Sequence, residues 1–261
     1  MSLYKKNMEI KNIAKNKIIN FSRNAFETLC NSPKKIKELK KLINQEKKIV
    51  IFRKVVDQNI LKNIKRTRNN ILKKKPFFFK TFLGSKDLFI FNKLHKKSYV
   101  KGYFRKIELY PWNKKNKKIY SELQDVLNVK CHMENLKFKE NRKKIFFDKK
   151  KFIKIHLNHY PQKKGFVQKH VDGIYKTMSL LLIGMSSNSI KNENNGLYCY
   201  FGNKKVNLDK HICAGDVAIF NPLIPHEVTP TKRRNGRWSL LISSGHFGKS
   251  QGTRLQSEHV K

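Results

Sequence analysis

The sequence predicts a mainly β domain, an antiparallel sandwich or barrel with flanking helices. Three observations predict it. Short apolar or alternating runs recur from Phe152 to Ile242, separated by turn signals such as Gly215-Asp216. Helical spacing is concentrated in the N-terminal half. Hydrophobic residues are 39% of 261, enough for one large core with a leader.

Residues 1–45 read as a helical, basic leader. Ile10, Ile13 and Ala14 keep helical spacing, as do Ile36, Leu39, Leu42 and Ile43. Ser32-Pro33 breaks and restarts the helix, with Ser32 as cap and Pro33 in the first turn. The leader either packs on the domain or binds something. Residues 46–250 form the main domain, and 251–261 a flexible tail. Lys48 to Phe52 is a short buried strand. Asp57 then caps a helix carrying Ile60, Leu61, Ile64, Ile71 and Leu72, ended by Pro76.

Residues 77–150 alternate lysines with aromatics: Phe77, Phe78, Phe79, Phe82, Phe89 and Phe91. Half-buried strands with solvated outer faces are preferred over a stacking surface for single-stranded nucleic acid. Ser121 to Val129 reads as an amphipathic helix. Phe152 to Tyr160 alternates: Ile153, Ile155 and Leu157 share one face, and Lys154, His156, Asn158 and Tyr160 the other. Further strands are Thr177 to Gly184, Gly196 to Phe201, Val217 to Phe220 and Arg237 to Ile242.

The formal net charge is +41. Residues 1–150 carry 42 Lys+Arg against 12 Asp+Glu, and residues 151–261 carry 17 against 6. A polyanion surface and AT-rich codon drift both account for such an excess. No run of eighteen apolar residues or signal-peptide core is present, which predicts a cytoplasmic protein without membrane insertion. Cys30, Cys131, Cys199 and Cys213 form no CxxC pair, so reduced thiols are expected rather than a zinc site.

His170-Val171-Asp172, with His226 downstream, is the constellation that carries chemistry. Residues i and i+2 of a strand point the same way, so His170 and Asp172 can reach one ion. His226 follows the Pro222 to Pro225 turn and supplies a third ligand. Two imidazoles and a carboxylate on one face leave positions open for a co-substrate and O₂, which suits Fe(II); zinc hydrolases use the same ligand types. Arg237 follows His226 by eleven residues, with Ser239 two beyond it. A guanidinium grips a carboxylate through two parallel hydrogen bonds.

His159-Tyr160-Pro161, Gly165, His170-Val171-Asp172, Gly196-Leu197, Gly215 to Phe220, His226 to Pro230 and Gly236 to Leu240 together resemble the Fe(II)/2-oxoglutarate-dependent dioxygenases. The resemblance is greatest to their prolyl-4-hydroxylase-like branch and covers roughly residues 150–245. It implies a double-stranded β-helix, a jelly-roll barrel. It implies that His170, Asp172 and His226 bind Fe(II), and that Arg237, helped by Ser239, pairs with the 5-carboxylate of 2-oxoglutarate. Tyr160 and Asn158 are further candidates for binding the co-substrate. O₂ is consumed, succinate and CO₂ leave, and ascorbate can serve as reductant. Asp172 argues against halogenation, since related halogenases replace that carboxylate with a small residue.

Three functions compete. The first is hydroxylation of a small molecule such as an amino acid or natural-product intermediate. The second is hydroxylation of a protein or nucleic acid held by the basic N-terminal half. The demethylase branch usually has a second arginine six residues beyond the first, where this chain has Ser243. The third is a non-catalytic basic binding protein, against which the intact triad and Arg237 argue. Trp238 is expected to pack in the core, Arg233 and Arg234 to form a solvated turn, and His156, His159, His211 and His246 to be ordinary polar residues.

Overall fold

A computed structural model describes residues 17–73, 83–94, 100–136, 151–172, 179–185 and 195–247. Several residues read above lie outside these: Ile10, Ile13, Ala14, Pro76, Phe77, Phe78, Phe79, Phe82, Thr177 and the tail 251–261, together with the side chains of Ile71 and Leu72. The described chain begins with β1 (Ile18–Phe21), α1 (Arg23–Cys30), α2 (Pro33–Asn44), β2 (Ile49–Phe52) and α3 (Gln58–Lys73). A hairpin of β3 (Leu88–Lys93) and β4 (Gly102–Leu109) leads to α4 (Lys117–Glu122) and α5 (Gln124–Met133). Then come β5 (Lys151–Tyr160), β6 (Phe166–His170), β7 (Leu180–Gly184), β8 (Leu197–Phe201) and β9 (Lys204–Asn207). The last three are β10 (Val217–Phe220), β11 (His226–Val228) and β12 (Arg237–His246).

The described strands form one sheet of twelve, in the order β1-β2-β10-β7-β12-β5-β4-β6-β11-β8-β9, with β3 on β4. β4 makes the corner. It pairs with β5 through Arg105 to Leu109 and with β6 through Gly102 and Tyr103. The sheet thereby folds into two walls that share an interior. Ile49, Ile51, Leu182, Ala218 and Phe220 from one wall cluster with Val167, Leu197, Cys199 and Val228 from the other. Antiparallel strands wound into two facing walls make the jelly roll that the sequence predicts.

The central strands read as continuous apolar runs because both of their faces are covered. Val50, Phe52, Leu181, Ile183, Val217 and Ile219 point outward into a second core built with the helices. Phe26, Leu29, Ile36, Leu39 and Ile43 of α1 and α2 complete it, so the described part of the leader packs on the sheet. Ser32 caps α2 by accepting from Lys35 N, with Pro33 in the first turn, as expected. Asp57 Oδ1 accepts Asn59 N at 2.6 Å at the start of α3.

Two expectations are corrected. Ile18 to Phe21 is a strand, not helix, because it pairs in parallel with β2. The helix read from Ser121 to Val129 is two helices, with Leu123 between them. The Gly215-Asp216 turn is a clamp. Asp216, 1% exposed, accepts Arg53 Nη1, Lys54 N and Cys213 N at 2.6, 2.9 and 2.8 Å. Gly215 has φ +88, and a Cβ there would lie 2.5 Å from Val56 O, so no other residue fits without strain. No helix among the described residues is long and apolar enough to cross a membrane.

β5 and β12 differ from the central strands. They pair over ten residues each, from Arg237↔Tyr160 to His246↔Lys151. Their apolar faces (Ile153, Ile155 and Leu157; Trp238, Leu240 and Ile242) lie under the helices. Their polar faces turn into the barrel and position the site. If the helices cover this outer face as described, Leu240→Ala should cost about 2–5 kcal/mol in urea denaturation. A loss below about 1 kcal/mol would show that the layer is not closed there.

Candidate metal centre and adjoining cation cleft

His226 lies directly opposite His170 in the β6–β11 ladder. Partners across an antiparallel ladder point to the same face, so both imidazoles enter the barrel mouth. Their ring centroids are 4.4 Å apart. Asp172 follows the end of β6, where its N–H donates to Pro222 O at 3.0 Å. That bond ties the carboxylate to the turn that presents His226. The turn is itself fixed: Asn221 Oδ1 accepts Leu223 N at 2.8 Å, and Asn221 O accepts Ile224 N at 3.0 Å.

The ligand atoms of His170, Asp172 and His226 all lie within 4.8 Å of one another. Nε2 of His170 is 3.8 Å from Asp172 Oδ1, and Nε2 of His226 is 3.7 Å from Asp172 Oδ2. Nδ1 of His170 faces Gln168 O at 2.8 Å, and Nδ1 of His226 faces Ile224 O at 2.9 Å. A carbonyl accepts only, so Nδ1 carries the proton in both rings and Nε2 keeps its lone pair. The donor set therefore fits a divalent metal. Burial, with His226 alongside, lowers the His170 pKa despite Asp172, which favours the neutral, ligating imidazole.

Arg237, Ser239, Asn158 and Tyr160 share the inner face, as their pairing requires: Arg237↔Tyr160 and Ser239↔Asn158. All four are buried. Trp238 points the other way and stacks on His159 with 4.1 Å between centroids. Tyr160 links the two halves of the site. The Arg237 guanidinium lies 5.4 Å from its ring centre. Burial raises its phenol pKa; Arg237 opposes this, and Asp209 and Asp172 add to it, so the hydroxyl stays neutral.

The arginine does not stand alone. Arg237 Nε and Nη2 donate to Asp209 Oδ2 and Oδ1 at 2.7 and 2.8 Å, a bidentate pair in the barrel wall. Leu197 N donates to the same carboxylate at 3.2 Å. A Cβ on Gly196, at φ +119, would lie 2.3 Å from Asp209 Oδ2, so glycine is what leaves the carboxylate its seat. Burial alone would raise the Asp209 pKa. Arg237, with Arg233 and the Leu197 N–H, outweighs it and holds the carboxyl below the usual aspartate range. Asp209, in the one-turn helix Leu208–Lys210, had no motif to mark it in the sequence.

A cleft opens beside the pair, lined by Met185, Asp209, Arg233, Arg237, Trp238 and Ser239 among others. Deeper in the barrel, Lys106 and Lys154 both pair with buried Glu108, at 2.8 and 2.7 Å. His156, expected to be an ordinary polar residue, lies beside this cluster, with Nε2 3.8 Å from Glu108 Oε1 and 3.0 Å from Ser243 Oγ.

No protein-family model matches the chain, and no curated protein matches it in sequence. Solved structures are similar to it. A prolyl hydroxylase from Trichoplax adhaerens, in complex with a peptide fragment of the hypoxia inducible factor oxygen degradation domain, aligns with a TM-score of 0.50 at 14% identity, over 81% of this chain and 91% of that one. A prolyl-4-hydroxylase from Pseudomonas putida aligns with a TM-score of 0.45 at 12% identity, over 76% and 92%. An oxidoreductase of the 2OG-Fe(II) oxygenase family from Burkholderia pseudomallei gives 0.43 at 12%, over 80% and 89%. The first of these likenesses shows the fold: the chain has the jelly roll of a prolyl hydroxylase.

If the triad is a metal centre, wild-type protein should bind Co(II) tightly, read by its visible absorption. His170→Ala and Asp172→Ala should each weaken that binding at least about tenfold. Unchanged titrations in both would remove the triad as the site. The Asp209 carboxyl ionises more readily in the folded than in the unfolded state. Its contribution to stability is therefore complete above the ordinary aspartate range and lost as pH falls through the depressed folded value. Asp209→Asn should cost about 3–5 kcal/mol at pH 7, because it leaves Arg237 buried without its counter-ion. Below about pH 4 the Tm gap to wild type should narrow. A gap independent of pH would show that the charge of Asp209 is not what stabilises the fold.

Proposed function

We propose that the chain is an Fe(II)- and 2-oxoglutarate-dependent oxygenase that hydroxylates a small molecule. One observation carries this reading. Two histidines with fixed tautomers and a carboxylate converge at the mouth of a jelly roll whose adjoining inner face holds a buried arginine. Iron(II) with 2-oxoglutarate and O₂ supplies the oxidation of a C–H bond, coupled to release of succinate and CO₂. His170, Asp172 and His226 would hold the metal from one side and leave the other side to the co-substrate.

Arg237 supports the far carboxylate of the co-substrate through what Asp209 leaves of its guanidinium. Nη1 makes no hydrogen bond among the described residues, so the Nη1 end is where a second carboxylate can be received. Ser239 lines the same cleft. Tyr160 and Asn158 occupy the inner face between the triad and the arginine. They can donate to the co-substrate without adding charge, and their burial keeps water away from it.

A macromolecular substrate is the second reading, favoured by the outer face of the β3–β4 hairpin. There Lys93 and Arg105 lie 4.8 and 4.7 Å over the Phe91 ring, and Tyr103 meets it edge-on. The Trichoplax enzyme was solved with a peptide, which keeps this reading open for the fold.

Purified protein with Fe(II), ascorbate, O₂ and 2-oxoglutarate should release succinate slowly without any substrate. His170→Ala and Asp172→Ala should abolish that release. A library of amino acids, small metabolites, peptides and oligonucleotides should then contain a compound that accelerates it and gains one oxygen by mass spectrometry. Absence of succinate from iron-loaded, aerobic protein would sink the oxygenase reading. Acceleration by a peptide or oligonucleotide alone would overturn the small-molecule assignment.

A further inference from the structure

Among the described residues, the core that the helices build draws no residue from β6, β11, β8 or β9. The outer face of that wall therefore stays outside the helical layer. Alternation places Tyr198 and Tyr200 on it, because Leu197, Cys199 and Phe201 turn into the barrel. Glu227 lies outward in the same way, between His226 and Val228, and its Oε1 accepts the Tyr200 hydroxyl at 2.5 Å. Two exposed lysines complete the group. Lys169 Nζ stands 4.1 Å from the Tyr200 ring centre, and Lys205 Nζ 4.6 Å from that of Tyr198.

The pattern continues into the β3–β4 hairpin. Tyr103 pairs with Phe166 of β6 on one side and with Lys93 of β3 on the other. Lys93 and Arg105 cover the Phe91 ring as Lys169 and Lys205 cover the tyrosines. The strands from β3 to β9 stand side by side over about 24 Å at the usual sheet spacing. Glu227 is the one outward acid on these strands, and Tyr200 engages it.

A ring and a cation held together along a strip suit a partner that repeats a flat face and a negative charge. A single nucleic-acid strand has both. Its base stacks on the ring, while the ammonium moves from the ring face to the phosphate. In a duplex the bases stack on one another and have no free face to give. An anionic membrane offers charge without flat faces. None of the exposed large apolar side chains Phe21, Leu83, Leu94 and Leu223 lies on these strands.

We propose that this outer face binds single-stranded nucleic acid, with bases on Tyr198, Tyr200 and Phe91 and phosphates on Lys93, Arg105, Lys169 and Lys205. The site lies outside the barrel and does not depend on what the metal centre oxidises. The solvated role expected for the outer face of β3 and β4 is replaced by this one.

The test is fluorescence anisotropy of the full chain with labelled poly(U) and poly(dT) over a series of salt concentrations. Wild-type protein should bind both strands, more weakly as salt rises. The double variant Lys169→Gln, Lys205→Gln should bind at least about tenfold more weakly, its salt slope lowered by about 0.7 for each lysine. The double variant Lys34→Gln, Lys37→Gln removes the same charge from exposed positions on α2 and should change affinity by less than about twofold. Tyr200→Leu should weaken both strands at least about fivefold. It should bind inorganic polyphosphate, which has charge but no bases, as wild type does. Equal losses from the two lysine pairs would make the charge effect diffuse and overturn the proposal. So would absence of binding at low salt, or wild-type affinity in a Tyr200→Leu protein that is folded by circular dichroism. Tighter binding to duplex DNA or to phosphatidylserine vesicles than to either strand would overturn it as well. Should Tyr200→Leu not fold, the two lysine pairs and their salt slopes decide alone.

Discussion

A slip of one residue between β6 and β11 would turn His226 out of the barrel and leave His170 without its partner. That register is the constraint on which the mouth of the molecule depends. It is held from both sides. β11 pairs with β8 as well as β6, so His226 faces Cys199 on one flank and His170 on the other. The Pro222 carbonyl then fixes the approach of Asp172. A three-residue strand with two paired edges is thus made rigid by its neighbours rather than by its own length. The same logic explains why each imidazole is oriented by a carbonyl two residues before it: the local backbone sets the tautomer without calling on a second carboxylate.

The interior has an uneven chemistry, and the sheet explains it. Toward β2, β10 and β7, both faces are sealed, and the inner face is apolar. Toward β12, β5 and β4, the inner face carries Arg237, Ser239, Ser243, Lys154, His156, Asn158, Lys106 and Glu108. Charges buried there are paired or clustered, because an isolated ion in such a place is too costly to persist. Outside the barrel the same rule holds for Lys130, which is fully buried and bonded to Glu134 and to Ser179. Part of the large lysine count is therefore built into the interior, where neither a polyanion surface nor codon drift describes its role.

The triad was legible in the sequence because its residue types sit in short, recognisable motifs that resemble a known family. An H-x-D at one strand end and a histidine after a proline-bounded turn mark the candidates, and the family resemblance joins them, but the β6–β11 pairing that brings His226 to His170 is tertiary. Trp238 outward and Arg237 inward follow from strand alternation. Asp209 was not legible in this way. Asp209 meets Arg237 across 28 positions and from a single helical turn, so no periodicity announces it. β1 was misread for a related reason: Ile18 to Phe21 becomes a strand only because β2 offers it an edge, a tertiary partner that propensity does not see. The split of α4 from α5 at Leu123 depends likewise on packing.

Among the described residues one end of the sheet is β9, whose outer edge has no further strand to pair with. An open row of amide and carbonyl groups is a template on which another copy of the same chain can add a strand. This strand is short, and two of its four residues are the exposed Lys204 and Lys205. Stacking a second β9 there would bring four ammonium groups together on a molecule already at +41. Among the described residues the β9 edge is therefore open, yet copies repel one another where they would zip together there. A bias toward lysine, whatever its origin, serves here as protection against fibre growth.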